Sequence, residues 1–146
     1  MKRKMILSIV LIVGMLLLAI GCKKDFPQQA DSDTNEPKWT IGMSQCNLGE
    51  PWRVQMNTEL KKAGDQYPQI EVIFKDAQND TLKQQAQVEE FISAGVDLMI
   101  ISPKESAPLT PVIGRAYESG IPVIVLDRPI LGDKYTCFIG ANNETI

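Results

Sequence analysis

Between residues 39 and 139, short apolar runs alternate strictly with longer stretches of mixed polarity, and this restricts the fold more than any other feature of the chain. Strands are expected over 39–43, 70–74, 96–101, 123–126 and 136–139. The third and fourth runs, Val96-Asp97-Leu98-Met99-Ile100-Ile101 and Val123-Ile124-Val125-Leu126, are apolar almost throughout, as strands buried on both faces must be. Residues 52–66 place Met56, Leu60 and Ala63, with Tyr67 beyond, at helical spacing. Asp80 reads as the N-cap of a helix over 81–94 that Gly95 ends, with Leu82, Ala86, Val88, Phe91 and Ile92 as its apolar set. A further helix carries Leu109, Val112, Ile113, Ala116 and Tyr117; Pro108 and Pro111 confine its start to 106–110, and Gly120 and Pro122 mark its end. Strand and helix in alternation require crossover connections. The fold class is therefore α/β: an open, doubly wound parallel sheet, expected in the strand order 2-1-3-4-5.

In such sheets ligands bind beyond the carboxyl ends of the strands. At that edge the runs end on Ser44-Gln45, Asp76, Ser102, Asp127-Arg128 and Asn142-Asn143, whereas the opposite edge is punctuated mainly by Gly, Pro and Tyr. Asn142 and Asn143 read as turn formers. The loop from Gln45 to Arg53 contains neither GxGxxG nor GxxxxGK[ST], so no phosphate cradle is expected. It offers a carboxylate, an indole and a guanidinium in Glu50, Trp52 and Arg53. Such a set suits a sugar: an aromatic ring stacks on the C–H face while charged groups bond the hydroxyls. Asp127 can accept from two adjacent hydroxyls, and Arg128 can donate to an oxygen.

The N-terminus bears on where this domain works. Met1-Lys2-Arg3-Lys4 precedes an apolar run over 5–20, which at 1.5 Å per residue spans about 24 Å, short of the ~30 Å hydrocarbon core. A removed export signal over 1–21 is expected rather than a membrane span. Leu18-Ala19-Ile20-Gly21-Cys22 resembles the lipobox of bacterial lipoproteins, which implies lipidation at Cys22. Several acyl chains anchor stably where one is marginal. Residues 22–38 are too polar to fold and read as a tether, leaving 39–146 as the domain.

From Cys22 onward the chain has twelve basic against eighteen acidic side chains, a net charge of −6, which argues against nucleic acid as partner. With no histidine anywhere, a Ser-His-Asp triad, a Cys-His pair and His-ligated zinc are excluded. No metal, no cofactor and no enzymatic activity is expected. Cys46 and Cys137 fall on strands that are not neighbours, and two unpaired, half-buried thiols are expected.

From about Trp39 to Ile146 the chain resembles the N-terminal lobe of type 1 periplasmic sugar-binding proteins, the group of ribose and galactose receptors. The resemblance rests on Ile41-Gly42-Met43-Ser44-Gln45, Glu50-Pro51-Trp52-Arg53, Asp76-Ala77-Gln78-Asn79, Gly95-Val96-Asp97 leading to Ile101-Ser102-Pro103, and Gly120-Ile121-Pro122-Val123 leading to Leu126-Asp127-Arg128-Pro129. It implies a stacking role for Trp52, polar contacts for Glu50 and Arg53, and a hydroxyl-binding pair in Asp127 and Arg128. Gln45 and Asp76 are weaker contacts. The Trp-Arg loop looks closer to galactofuranose-type receptors than to ribose receptors. Implied partners are a monosaccharide and a permease of the ATP-driven (ABC) type, or a receptor kinase or chemoreceptor if the module is a sensor. Because the chain stops just past the fifth strand, the second lobe of this family is expected to be missing, and sugar binding by this chain alone to be weak.

Overall fold

The computed structural model describes residues 39–141, so the expected signal, Cys22, the tether and Asn142-Asn143 lie outside the described residues. Five parallel strands form one sheet: β1 (Trp39–Gln45), β2 (Ile70–Asp76), β3 (Leu98–Ser102), β4 (Val123–Leu126) and β5 (Cys137–Ile139). Their order is β2-β1-β3-β4-β5, as the alternation leads one to expect. Three helices connect them: α1 (Pro51–Gly64), α2 (Thr81–Ala94) and α3 (Ser106–Glu118).

Local chemistry fixes the helix ends. The Asp80 carboxylate accepts from the N–H groups of Leu82 and Lys83, capping α2. Gly95 closes it in the left-handed region at φ 67°, where a Cβ would be strained. Pro51 occupies the first turn of α1, where its missing N–H costs nothing. Pro111 lies inside α3, and the Thr110 hydroxyl donates to the carbonyl of Ser106 in that same turn at 2.8 Å.

Side chains alternate between the two faces of the sheet. On one face, Gly42 and Ser44 of β1, Met99 and Ile101 of β3, and Val123 and Val125 of β4 meet α2 and α3. With Val88, Phe91, Leu109, Val112, Ile113 and Ala116 they build the core. Gly42 is required there, since a Cβ would stand 2.8 Å from the Phe91 ring. On the other face, α1 covers Gln45 and Ser102, while Ile124 and Leu126 are half-buried and Cys137 and Ile139 are exposed.

All three helices depart in part from expectation. Leu82 is 75% exposed and Ala86 is also outside, whereas Gln84 and Gln87 are buried beside Val88 and Phe91. Polar groups beneath the strand ends need partners, and these two amides supply them. In α1 the only buried residue is Arg53; Ala63 and Tyr67 are exposed. Tyr117 of α3 is exposed as well. The thiols are free, but neither is half-buried. Cys46 is enclosed under the segment that follows β2, whose Asn79 N–H donates to its carbonyl, and Cys137 lies exposed on the edge strand.

Candidate functional site

The carboxyl ends of β1, β3 and β4 meet at one side chain. Arg53, in the first turn of α1, has a side chain 2% exposed, and a buried guanidinium demands acceptors for its five N–H groups. The fold supplies four. Nε donates to Glu50 Oε2 at 3.0 Å; Nη1 donates to Gln45 Oε1 at 3.1 Å and to Ser102 Oγ at 2.9 Å; Nη2 donates to Asp127 Oδ2 at 3.1 Å. The remaining N–H is on Nη2, beside Asp127. Its charge is balanced by two carboxylates, one half-exposed and one 30% exposed.

The guanidinium also lies 4.1 Å from the centroid of the Trp52 ring, a cation–π stack. Trp52 is 45% exposed, so the indole keeps surface open for a ligand while the arginine holds the rest. Trp52 and Asp127 line a hollow of about 420 Å³ together with Met56, Leu126, Ile139, Gly140 and Ala141. Aromatic and apolar walls with a carboxylate on the rim suit a molecule with C–H faces and hydroxyl edges.

Of the residues singled out in the sequence, Gln45, Glu50, Trp52, Arg53 and Asp127 are thus brought together. Gln45 is wholly enclosed, with its amide nitrogen on Asn57 Oδ1 and Met56 Sδ. Arg128 is half-exposed: its Nη1 donates to the carbonyl of Lys104 at 2.7 Å and its Nε stands 3.8 Å from Asp127. Asp76 is set apart. It accepts from the Gln78 N–H at 2.8 Å and, with Glu50, Asn47 and Asn79, lines a second, polar hollow of about 500 Å³. A third hollow of about 440 Å³ on the outer flank of α1, between Leu48, Val54 and Phe74, contains none of these residues.

The residues missed in the sequence lie beneath this edge. Gln84 donates to Ser44 Oγ and to the Ser102 carbonyl, and accepts from the Lys104 N–H. Gln87 accepts from Ser44 Oγ and donates to the Asp76 carbonyl. Two amides of α2 therefore tie together the ends of β1, β2 and β3. Their signal was positional: 84, 87, 88 and 91 share a helical stripe, whatever their polarity.

Three described residues other than glycine have positive φ: Gln78 (54°), Asn79 (63°) and Asp127 (68°). All three stand at this same edge, and backbone strain of that kind concentrates at ligand sites. Among the described residues no group of three or more Asp, Glu or Cys side chains could hold a metal, and no helix is long and apolar enough to cross a membrane.

Residues 41–146 match the family described as periplasmic binding protein domain. The ribose import binding protein of Bacillus subtilis is 31% identical over 142 residues, covering 96% of this chain and 46% of that protein. The galactofuranose-binding protein of Escherichia coli is 32% identical over 107 residues, 71% of this chain and 33% of that one. Among solved structures, the fructose-binding periplasmic domain of a hybrid two-component system superposes with a TM-score of 0.70 at 45% identity, covering 73% of this chain and 35% of that one. A solute-binding protein of an ABC transporter from Bacillus halodurans, with bound myo-inositol, gives a TM-score of 0.68 at 36% identity, covering 73% and 37%. The chain spans less than half the length of each of these relatives.

Proposed function

The chain belongs to the periplasmic binding protein domain family, and we propose that it binds a monosaccharide outside the cytoplasm and presents it to an ABC permease. The family is one of binding receptors, not enzymes. The observation that carries the reading is the Trp52–Arg53–Asp127 arrangement: an indole with open surface and a carboxylate, held at a fixed separation by one buried guanidinium. In this reading Trp52 stacks on the sugar, Asp127 accepts from its hydroxyls, and Arg128 and Glu50 lie at the rim. Arg53 has one N–H left to offer. Asp76, across the loop, is a lesser contact. The family's periplasmic character supports an extracytoplasmic location, and the Gly21-Cys22 pair supports a lipid anchor at Cys22.

Trp52 keeps 45% of its surface in solvent, whereas tight sites enclose 70–90% of a ligand, so weak, roughly millimolar binding of a free sugar is expected of this chain alone. The test is a titration with D-ribose, D-fructose, D-galactose and myo-inositol, followed by the Trp52 indole NMR resonance. At least one ligand should shift it saturably; no shift with any of them at 50-fold the concentrations used for a millimolar site, roughly 50 mM, would defeat the reading. Labelling cells with an alkynyl fatty acid, with Cys22→Ala as control, tests the anchor.

A second reading, a sensor that docks on a receptor kinase, is favoured by the 45% identity to the fructose-binding domain of a two-component system. Loss of sugar uptake on gene deletion points to the permease. Loss of a sugar-induced transcriptional response with uptake intact points to the sensor.

A further inference from the structure

We propose that Ser102 and Gln45 are positioning residues of the sugar site, acting through the Arg53 guanidinium on both Trp52 and Asp127. This rests on the sugar-binding reading above. Neither residue has any exposed surface, so neither touches a ligand in this conformation. Both spend a side-chain oxygen on Arg53 Nη1, at 2.9 and 3.1 Å, and they are direct neighbours in register across β1 and β3.

The consequence follows from the shape of the guanidinium. It is planar and rigid, so fixing both hydrogens of Nη1 fixes the whole plane. That group stands over the Trp52 ring, its central carbon 4.1 Å from the centroid, and donates from Nη2 to Asp127 Oδ2 at 3.1 Å. The stacking platform and the hydroxyl acceptor lie 75 positions apart in the chain on different elements, yet one group sets the distance between them. Such a hold adds to the local turn at Asp127, whose backbone sits at φ 68°, in the left-handed region that residues with a Cβ seldom adopt. Remove one of the Nη1 acceptors and the guanidinium can turn about its own axis, carrying the indole and releasing the carboxylate.

Ser44 provides the matching control. It is equally buried, one residue before Gln45, and its hydroxyl bonds Gln87 and Gln84 on the opposite face of the sheet. The experiment compares Ser102→Ala, Gln45→Met and Ser44→Ala in the full chain, titrated with D-fructose and myo-inositol, and records the Trp52 indole resonance with and without sugar. Ser102→Ala and Gln45→Met should each weaken binding about tenfold, the scale of one hydrogen bond to a charged group, and move the sugar-free indole resonance. Ser44→Ala should lower thermal stability and leave both readouts in place. Wild-type affinity in Ser102→Ala, or an equal loss in Ser44→Ala, overturns the proposal. Should the first two variants not fold, the wild-type chain decides: its Arg53 Nη protons must exchange and rotate slowly, and rapid averaging overturns the proposal. If no sugar binds the wild type, the sugar reading fails, and the positioning role is judged on the indole resonance alone.

Discussion

Arg53 Nη2 and Asp127 Oδ2 lie 3.1 Å apart, joining the first turn of α1 to the end of β4 across 74 residues of chain. The arginine is buried and the aspartate is 30% exposed. Removing the aspartate therefore leaves a buried cation with half of its compensation. Asp127→Ala should cost about 1–3 kcal/mol, seen as a fall in Tm of at least ~4 °C for a domain of this size. Asp127→Asn, which keeps an acceptor oxygen, should cost less.

Trp52 should behave in the opposite way. It is 45% exposed and stacks on the guanidinium, so Trp52→Ala should lose only about 0.5–1 kcal/mol of stability. Sugar binding should nevertheless vanish from the titration. A variant that keeps full affinity would remove Trp52 from the site.

Gly42→Ala puts a methyl group 2.8 Å from the Phe91 ring in the centre of the core. The ring has no room to retreat, since Phe91 is 2% exposed. Overpacking of this kind costs about 1–3 kcal/mol; urea denaturation should show a lower midpoint with an unchanged slope.

Gln84→Leu strips partners from the Ser102 carbonyl, the Lys104 N–H and Ser44 Oγ at once. Buried groups left unpaired cost about 1–3 kcal/mol each, part of which relaxation recovers. Amide exchange should accelerate at Lys104 ahead of the rest of the domain. Unchanged protection there would mean that α2 does not brace this edge.

The two thiols should separate cleanly by reactivity. Cys137 is exposed and Cys46 is enclosed. Maleimide labelling followed by peptide mapping should modify Cys137 within minutes and leave Cys46 untouched until the domain unfolds.

The architecture was legible because it rests on periodicity. Apolar strands and the stripe of Leu109, Val112, Ile113 and Ala116 report burial through hydrophobicity, and Asp80 and Gly95 mark helix ends. Each falls within two residues of where the pattern put it, although the outer face of the fourth strand, Ile124 and Leu126, is only half-buried. The polar interior was not legible, for the same reason. Arg53, Gln84 and Gln87 are buried although their side chains prefer water, because the open ends of three strands must find hydrogen-bond partners there. Leu82, counted as apolar, is exposed because its place on α2 turns it outward. The loop composition gave Trp52 and Arg53 as candidates and the end of the fourth strand gave Asp127, but that one guanidinium links them is a three-dimensional fact. Ser102 was visible only as a strand end.

The order β2-β1-β3-β4-β5 has a consequence for the birth of the molecule. β1 is the first of the strands to leave the ribosome, yet it occupies an inner position of the sheet and pairs on one side with β2 and on the other with β3, which ends at Ser102. Some sixty residues must follow it before its second edge is satisfied. Until then Met43 and Gln45 have no finished core to enter. Before Ser102 has emerged the sheet cannot close around β1, so the non-local pairing of β1 with β3 comes late in the assembly of this domain.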